Sequence, residues 1–384
     1  MSKKKVETAL VLRTCNPDLT SRGGFQWPGE IGAVVEAPDW KKSNECGNGL
    51  HGWLFGQGDS GASDSIGMPD AKWLVVEVVV ADIVALGGKI KFPRCTVRHV
   101  GDKLSATEYL LTHEPRAASV AVIGVTLAGG DRSTLTGGYG STLTGGDGST
   151  LTGGYDSTLT GGDGSTLTGG NRSTLTGGDD STLTGGNRST LTGGYDSTLT
   201  GGNRSTLTGG NRSTLTGGNG STLTGGDGST LTGGYGSTLA GGYGSTLAGG
   251  NGSTLTGGDG STLTGGNRST LTGGDGSTLT GGYDSTLTGG NRSTLTGGNR
   301  STLTGGDDST LTGGDGSTLT GGYDSTLTGG DGSTLTGGDK SELRIRRWDG
   351  KAERYRTYNA YVGEDGIEAN TPYRLDDNNK FVKA

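Results

Sequence analysis

Four side chains in the first hundred residues have the chemistry of a zinc site. Cys46 and His51 lie within CGNGLH, and Cys95 and His99 lie within CTVRH. Thiolate and imidazole groups are preferred Zn²⁺ ligands, and a Cys–His pair can also form a nucleophile with its base. However, neither spacing is that of a standard zinc knuckle, and no third residue that would orient a nucleophile is apparent. We therefore predict no cofactor, no metal and no enzymatic activity, with these four residues as the only metal candidates.

Threonine hydroxyls form the second chemical pattern, and this one is periodic. From residue 129 to residue 336 the chain repeats the octad G-G-[DNY]-[GRD]-S-T-L-T 26 times without insertion or deletion. Of the 52 threonine positions, 50 are occupied by Thr, and the exceptions are Ala240 and Ala248. Variation is otherwise confined to the third and fourth positions of the octad. Such uniformity predicts that the threonine positions, and not only the composition, carry the function, although copying slippage in the DNA also produces uniform repeats.

In an extended chain, the sequence STLT places Ser and Leu on one face and both threonines on the other. The threonines then form two columns ~6.7 Å apart along the strand, and successive rows are ~4.8 Å apart between neighbouring strands. Each Thr offers a hydroxyl and a methyl with a stiff χ1, so the grid is ordered before a ligand arrives and can hold water in a regular array. The simpler interpretation is that Thr is a good solvated strand residue. The predicted water-ordering positions are Thr134, Thr136, Thr142, Thr144, Thr150, Thr152, Thr158, Thr160, Thr206, Thr208, Thr214 and Thr216.

Positioning these threonines requires a strand and a turn in every octad. The sequence STLT predicts the strand, and G-G-x-x predicts a turn in which the glycines supply positive φ angles. Asp occupies the third position mainly in odd octads and Asn mainly in even ones, which indicates two octads per 16-residue coil. We predict a mainly β protein containing a parallel β-solenoid of about 13 two-strand coils, ~60 Å long. A disordered Gly/Ser/Thr spacer is the alternative.

The flanking segments predict three domains. Residues 1–120 are expected to form a small α+β N-terminal domain of unknown function, with strands at Ala9–Arg13, Ile31–Glu36 and Trp73–Val80 and a helix at Ser105–Leu111. Residues 121–344 are expected to form the solenoid, including the degenerate opening octad AVIGVTLA and the degenerate closing octad GGDKSELR. Residues 345–384 are expected to form a short β-rich C-terminal cap.

Charge argues against nucleic acid as a partner. The chain carries a net charge of −7, and residues 129–336 account for −8 of it, because they contain 8 basic and 16 acidic side chains. A surface of that sign does not attract phosphates or anionic lipid. The N-terminus lacks the apolar core of a signal peptide, and no segment approaches the ~20 apolar residues of a membrane span. The localisation is unknown, with the cytoplasm as the default and a surface location if another export route is used.

The turns GGDG and GGDD resemble those of calcium-binding β-rolls. Those repeats are nine residues long and carry an acidic ligand where this chain has Ser, for example Ser149. Calcium is therefore a weak alternative.

The octads, together with the segments LRIRRWDGKAERYR and YVGEDGIEANTPY, resemble the bacterial ice nucleation proteins over about residues 129–384. The shared C-terminal elements are W-D-G-K at Trp348–Lys351, R-Y-R at Arg354–Arg356, G-E-x-G-x-E-A at Gly363–Ala369, and Pro372 with Tyr373. This resemblance implies a non-enzymatic protein whose Thr-x-Thr rows bind ice or order water into ice.

The resemblance also implies self-association, through a tyrosine column and basic coils, but this chain departs from the family pattern. The seven array tyrosines fall on both edges, and basic character near the cap is limited to Lys340, Arg344, Arg346 and Arg347. We therefore expect weak self-association at most, through the solenoid edges or through Arg344, Arg346 and Arg347. Both faces carry TLT and the coils are few, so the protein is expected to bind ice or to nucleate it only under deep supercooling.

The N-terminal segment ECGNGLHGW resembles an uncharacterised domain of bacterial and phage proteins. The alternative function is therefore a structural or adhesive rod that displays this domain on a cell or phage surface.

Overall fold

The computed structural model describes residues 6–384. Residues up to Leu175 form one compact unit, and residues from Thr176 to Ala384 form a second. The first unit contains an antiparallel sheet, one α-helix and the first solenoid strands, and the second contains solenoid strands and the C-terminal strands. The predicted mainly β fold with a parallel β-solenoid is confirmed.

Seven strands of the first unit form one antiparallel sheet in the order β4-β9-β6-β1-β5-β8-β7, beside a two-stranded hairpin of β2 and β3. The nine strands are β1 (Thr8–Cys15), β2 (Thr20–Ser21), β3 (Phe25–Gln26), β4 (Val34–Glu36), β5 (Leu50–Leu54), β6 (Lys72–Val79), β7 (Val84–Ala85), β8 (Ile90–Phe92) and β9 (Arg94–Gly101). Apolar, β-branched side chains fill the centre of this sheet, as β-propensity predicts.

The strands predicted at Ala9–Arg13 and Trp73–Val80 correspond to β1 and β6. The strand predicted at Ile31–Glu36 is shorter, because only β4 is extended. Gly32 has a φ of +92° and Ile31 is 64% exposed, so the chain turns there before it enters the sheet.

The predicted helix is present and longer than expected, spanning Lys103–His113 (α1). Asp102 caps it, since its carboxylate accepts a hydrogen bond from the Ser105 amide at 2.8 Å. Helix α1 packs on β1, β6 and β9 through Ala106, Thr107 and Leu110.

Each octad of the array contributes one three-residue strand, as predicted. In the first unit these are β10 (Thr126–Ala128), β11 (Thr134–Thr136), β12 (Thr142–Thr144), β13 (Thr150–Thr152), β14 (Thr158–Thr160) and β15 (Thr166–Thr168), followed by β16 (Thr174–Thr176) at its boundary. Alternate strands pair in parallel: β10 pairs with β12 and β12 with β14, while β11 pairs with β13 and β13 with β15. The opening octad therefore begins one sheet, and two octads complete each coil.

The second unit continues the same period. Strands β17 to β34 begin every eight residues, from Thr182–Thr184 to Thr318–Thr320, and they are followed by β35 (Thr326–Gly329) and β36 (Thr334–Thr336). The closing octad contributes the first residues of β37 (Glu342–Asp349), which pairs in parallel with β35. Strands β10 to β37 number 28, or 14 coils, because the two degenerate octads add one coil to the 13 predicted.

The C-terminal cap contains three further strands, β38 (Arg354–Tyr361), β39 (Tyr373–Leu375) and β40 (Phe381–Lys383). The parallel ladders end here, since β38 pairs antiparallel with β37, and β39 pairs antiparallel with both β36 and β40. Val362, Ile367 and Tyr373 are each at most 8% exposed and provide the apolar cover. An exposed ladder end invites pairing with other chains, so antiparallel strands at this position are a physically sensible cap.

Candidate functional site

The threonines that could order water lie on the outer faces of the coils. In β20 (Thr206–Thr208) the central Leu207 is fully buried, whereas both threonines are exposed. Of the twelve predicted positions, eleven are exposed and Thr142 is half-buried. Thr rows lie on both faces, because odd and even octads have the same pattern.

The threonine columns are in register between coils. Thr206 is opposite Thr190 and Thr222, and Thr208 is opposite Thr192 and Thr224. Backbone hydrogen bonds of 2.9 Å fix this register, for example from the Thr206 amide to the Ser189 carbonyl. Parallel in-register pairing places equivalent side chains ~4.8 Å apart, so each face presents a two-column grid of hydroxyl and methyl groups.

Two features interrupt the grid. Ala240 and Ala248 each remove one hydroxyl, one on each face, and they lie in consecutive octads. Near the C-terminal cap, Thr326, Thr328, Thr334 and Thr336 are only half-exposed. Every threonine position from Thr150 to Thr232 is occupied by Thr and exposed, so the longest unbroken run of exposed threonines precedes the two alanines.

The paired glycines are required for space, which corrects the expectation that they supply positive φ angles. A Cβ on Gly201 would lie 2.4 Å from Ser205 Oγ and 2.8 Å from Leu207 Cδ1, and one on Gly202 would lie 2.4 Å from Asn187 Oδ1. The positive φ angle belongs to the fourth octad position, such as Arg204 at +58° or Gly220 at +64°. Left-handed backbone suits Gly and tolerates Asp, which explains two of the residue types at this position.

The third octad position forms a ladder along each edge. The side-chain Oδ1 of Asn203 accepts a hydrogen bond from the amide of Asn219 at 2.9 Å, one coil later. Asp does the same, since Asp147 Oδ1 accepts from the Asp163 amide at 3.0 Å. Asp and Asn at this position thus stabilise the turn stack, which gives them a structural role without calcium.

In many octads the inward serine closes the turn with a hydrogen bond, whereas the buried hydroxyls of six others have no partner among the described residues: Ser133, Ser141, Ser149, Ser165, Ser181 and Ser261. Ser205 is 1% exposed, and its hydroxyl donates to the Gly202 carbonyl at 2.6 Å. This bond partners a buried hydroxyl and the carbonyl of the invariant second glycine. The narrow core therefore contains Leu packed beside Ser that is hydrogen-bonded in many octads.

The array tyrosines lie at the edges and form no continuous column, as the sequence predicts. Tyr139 and Tyr155 stack with ring centroids 5.6 Å apart. Others pair with a basic residue one coil later, as Tyr195 does when its hydroxyl accepts a hydrogen bond from Arg212 at 2.8 Å. Tyr235 and Tyr243 are each 67% exposed.

The basic residues proposed for self-association each contact neighbours in the same chain. Arg344 forms an ion pair with Glu342, and Arg347 forms one with Asp331 at 3.1 Å. Arg346 lies over the Tyr355 ring at 4.6 Å. Self-association through these residues remains a prediction.

The four Cys and His candidates do not come together as a metal site. Across residues 6–384 no group of three or more His, Cys, Asp or Glu side chains is close enough to hold an ion. Cys46 is exposed in a loop, whereas Cys95 is buried on β9, where burial raises its thiol pKa to about 12. His99 contacts the Ser105 hydroxyl at 3.1 Å, and burial lowers the pKa of His51 to about 4. Burial is the largest cause of both pKa shifts.

No helix among the described residues is long and apolar enough to cross a membrane.

Comparison with known proteins gives two kinds of match. Residues 9–112 match a family described as a domain of unknown function, DUF7666. The chain is 40% identical over 123 residues to an ice nucleation protein of Pseudomonas syringae pv. syringae, a match that covers 32% of this chain and 10% of the relative. It is 41% identical over 112 residues to ice nucleation protein InaU of Pantoea ananas, covering 28% of this chain and 10% of the relative. It is 44% identical over 108 residues to an ice nucleation protein of Pseudomonas fluorescens, covering 28% of this chain and 9% of the relative.

The matched segments therefore span about a tenth of the length of these relatives. No solved structure matches the chain. The predicted resemblance to ice nucleation proteins, with an uncharacterised N-terminal domain, is confirmed.

Proposed function

We propose that this protein is a non-enzymatic, ice-nucleation-like or ice-binding protein whose outward Thr-x-Thr rows order water. The relatives named ice nucleation proteins support the general role. The observation that carries the finer proposal is the register of the threonines, which repeats without offset from one coil to the next.

The physical argument rests on pre-organisation. The threonines are held by a parallel ladder, their χ1 angles are stiff, and the leucines beneath them are fully buried. Water that binds such a grid loses freedom without a matching loss of freedom in the protein, so the grid is suited to hold water in a fixed arrangement.

The number of coils sets the expected strength. A template favours freezing only when its size is comparable to that of the critical ice embryo, which becomes larger as supercooling decreases. Fourteen coils make a small template. We expect ice binding, or nucleation only at deep supercooling.

The test measures droplet freezing, thermal hysteresis and ice-affinity partition on the full chain. The test variant carries Thr190→Lys, Thr206→Lys and Thr222→Lys, which places three long charged side chains in one column of one face. The matched control carries Arg188→Lys, Arg204→Lys and Arg212→Lys, which changes three side chains at the turns and leaves the Thr rows intact.

We expect the unmodified chain and the turn control to partition into ice, and the Thr→Lys variant to lose much of this activity while it keeps its circular dichroism spectrum. Equal activity of a folded Thr→Lys variant would exclude the Thr rows of that face as the ice-binding surface. Absence of all three activities in the unmodified chain would favour the structural or adhesive rod.

A further inference from the structure

A cavity of about 920 Å³ opens in the N-terminal domain, and none of its lining residues belongs to the octad array. This volume is within the range of about 300–1,000 Å³ that is typical of small-molecule sites. Its walls come from β1, the β2–β3 hairpin, β5, and the loops at residues 38–49 and 62–65.

Arg13 on β1 is the central charged group in this cavity. It is only 9% exposed, and its guanidinium carbon lies 3.7 Å from the centre of the Trp27 ring. Its Nη1 donates to the His51 carbonyl at 3.2 Å, and its Nη2 donates to the Thr14 carbonyl at 3.4 Å. Its buried Nε has no hydrogen-bond partner, and no carboxylate among residues 6–384 forms an ion pair with it.

A second buried cation lies behind the cavity wall. Lys91 on β8 is 0% exposed, and its Nζ donates to Ser43 Oγ at 3.2 Å and to the carbonyls of Glu45 and Gly47 at 2.9 and 3.2 Å. These acceptors are all neutral, and the described residues provide no ion pair for this lysine either. Burying a charge without a counter-charge is costly, so Arg13 in the lining favours an anion in the cavity, and Lys91, opposite the lining residue His51, adds to the positive potential.

His51 reports the sign of the local field. Its Nε2 is buried and has no partner among the described residues. Burial, followed by the positive charges of Lys89, Arg13 and Lys91, lowers its pKa to about 4, while Asp39 opposes them. The ring is therefore neutral near pH 7 and offers one more polar atom at the cavity.

The remaining charged lining is mixed. Arg22 and Lys89 add two positive charges, and Asp39 and Asp64 are the two carboxylates. Both carboxylates are exposed, whereas Arg13 is buried. Because solvent screens exposed charges more strongly than buried ones, the cavity is expected to be positive at its inner end.

We propose that this cavity binds a phosphorylated small molecule of about nucleotide size, with its phosphate directed at Arg13 and the two rim cations Arg22 and Lys89. A buried guanidinium without a carboxylate partner suits an oxyanion, and three cationic groups suit a dianionic phosphate. The volume exceeds what inorganic phosphate requires, which leaves room for an organic group beside Phe25.

Titration calorimetry and tryptophan fluorescence on the full chain test this proposal, since Trp27 and Trp53 line the cavity. The probes are inorganic phosphate, AMP and glucose 6-phosphate, with uncharged adenosine as the comparison. We expect at least one organic phosphate to bind more tightly than inorganic phosphate, and adenosine to bind at least tenfold more weakly than AMP. No binding of any phosphate probe at millimolar concentration, or equal binding of adenosine and AMP, would overturn the proposal.

Variants locate the site. Replacing both rim cations, Arg22→Gln with Lys89→Gln, is expected to weaken the best phosphate probe by about tenfold or more without unfolding the domain. Arg94→Gln is the matched control, because Arg94 is an exposed cation of the same domain that does not line the cavity.

Arg13→Lys keeps the buried charge and removes the guanidinium fork. It is expected to weaken binding of the phosphate probe, and thermal unfolding shows whether the variant is still folded. Unchanged affinity in both the rim variant and a folded Arg13→Lys variant would place the anion elsewhere.

Discussion

The octad array and the N-terminal domain build their interiors in opposite ways. The array coils bury the side chains of leucines and serines, and many of the serine hydroxyls donate to a carbonyl such as that of Gly202. The N-terminal domain buries many residue types, including Trp27, Phe92 and the charged Arg13 and Lys91. Repetition thus spreads one simple pattern over a long surface, whereas a mixed core can gather unlike groups around one cavity.

This difference agrees with a water-ordering surface on the array and a small-molecule site in the N-terminal domain. A surface that orders water needs many equivalent positions and no single indispensable residue. A small-molecule site needs a few different groups in one place, each of which matters individually. The array and the domain are therefore expected to respond differently to single substitutions, and the following experiments test that contrast.

The largest effect is expected from truncating a core leucine in each region. Leu215→Ala and Leu74→Ala both remove a fully buried side chain, and each is expected to cost about 2–5 kcal/mol of local stability. Because each coil contacts only its neighbours, Leu215→Ala should deprotect amides near its own coil, while Leu74→Ala should deprotect the whole N-terminal sheet. Hydrogen exchange measured by mass spectrometry distinguishes these patterns.

Thr214→Ala is the control for the array, because Thr214 precedes Leu215 in the same strand but is exposed. Its truncation should change the free energy of unfolding by no more than about 0.5 kcal/mol. Uniform deprotection of the array by Leu215→Ala would mean that it unfolds as one cooperative body, as the domain is expected to.

The next largest effect is expected at the first glycine of an octad. Gly201→Ala places a Cβ against Ser205 and Leu207, where the closest approach is 2.4 Å, and overpacking of this kind typically costs about 1–3 kcal/mol. Gly220→Asp is the matched control at the fourth position, because Asp196 already adopts the same left-handed conformation in another octad. Chemical denaturation should show a clear loss for the first variant and little for the second. The opposite ranking would disprove the steric explanation of the glycine pair.

A smaller effect is expected at the edge ladder. Asn203→Ala removes the acceptor of the Asn219 amide and should cost about 0.5–1.5 kcal/mol. Asn203→Asp keeps Oδ1 and should be close to neutral, as the Asp147 ladder indicates. Equal losses in thermal unfolding of the two variants would show that the Oδ1 acceptor is not the stabilising feature.

A pH effect from histidine is expected only in the N-terminal domain, since the array contains no histidine. The pKa of His51 is about 4 in the folded chain and near 6.5 when unfolded, so the unfolded state binds more protons between these values. Stability from this group is complete above pH 6.5 and decreases as the pH falls towards 4. His51→Gln should flatten the fall in melting temperature between pH 7 and pH 4.5. A slope identical to that of the unmodified chain would rule out His51 as its source.

Much of the array could be predicted from the sequence, because an eight-residue period combined with alternation in STLT leaves few ways to bury Leu. Register, parallel pairing and the outward direction of Thr206 and Thr208 follow from that pattern. The role of the glycine pair was predicted incorrectly, because the atoms that exclude a Cβ at Gly202 belong to another coil. The hydrogen-bonding role of the third octad position was not predicted either, because the amide partner of Asn203 is sixteen residues away.

The sequence by itself determined the solenoid, since a strict repeat makes every local preference agree with its neighbours and allows only one register. Only the tertiary structure decided the arrangement of the N-terminal domain. Arg13, His51 and Lys91 are distant in sequence and carry no common spacing, yet strands β1 and β5 bring Arg13 and His51 to one cavity, and β8 places Lys91 opposite His51. The physical reason is that local periodicity specifies neighbours within a repeat, whereas a non-repeating sheet acquires its site from pairings between remote strands.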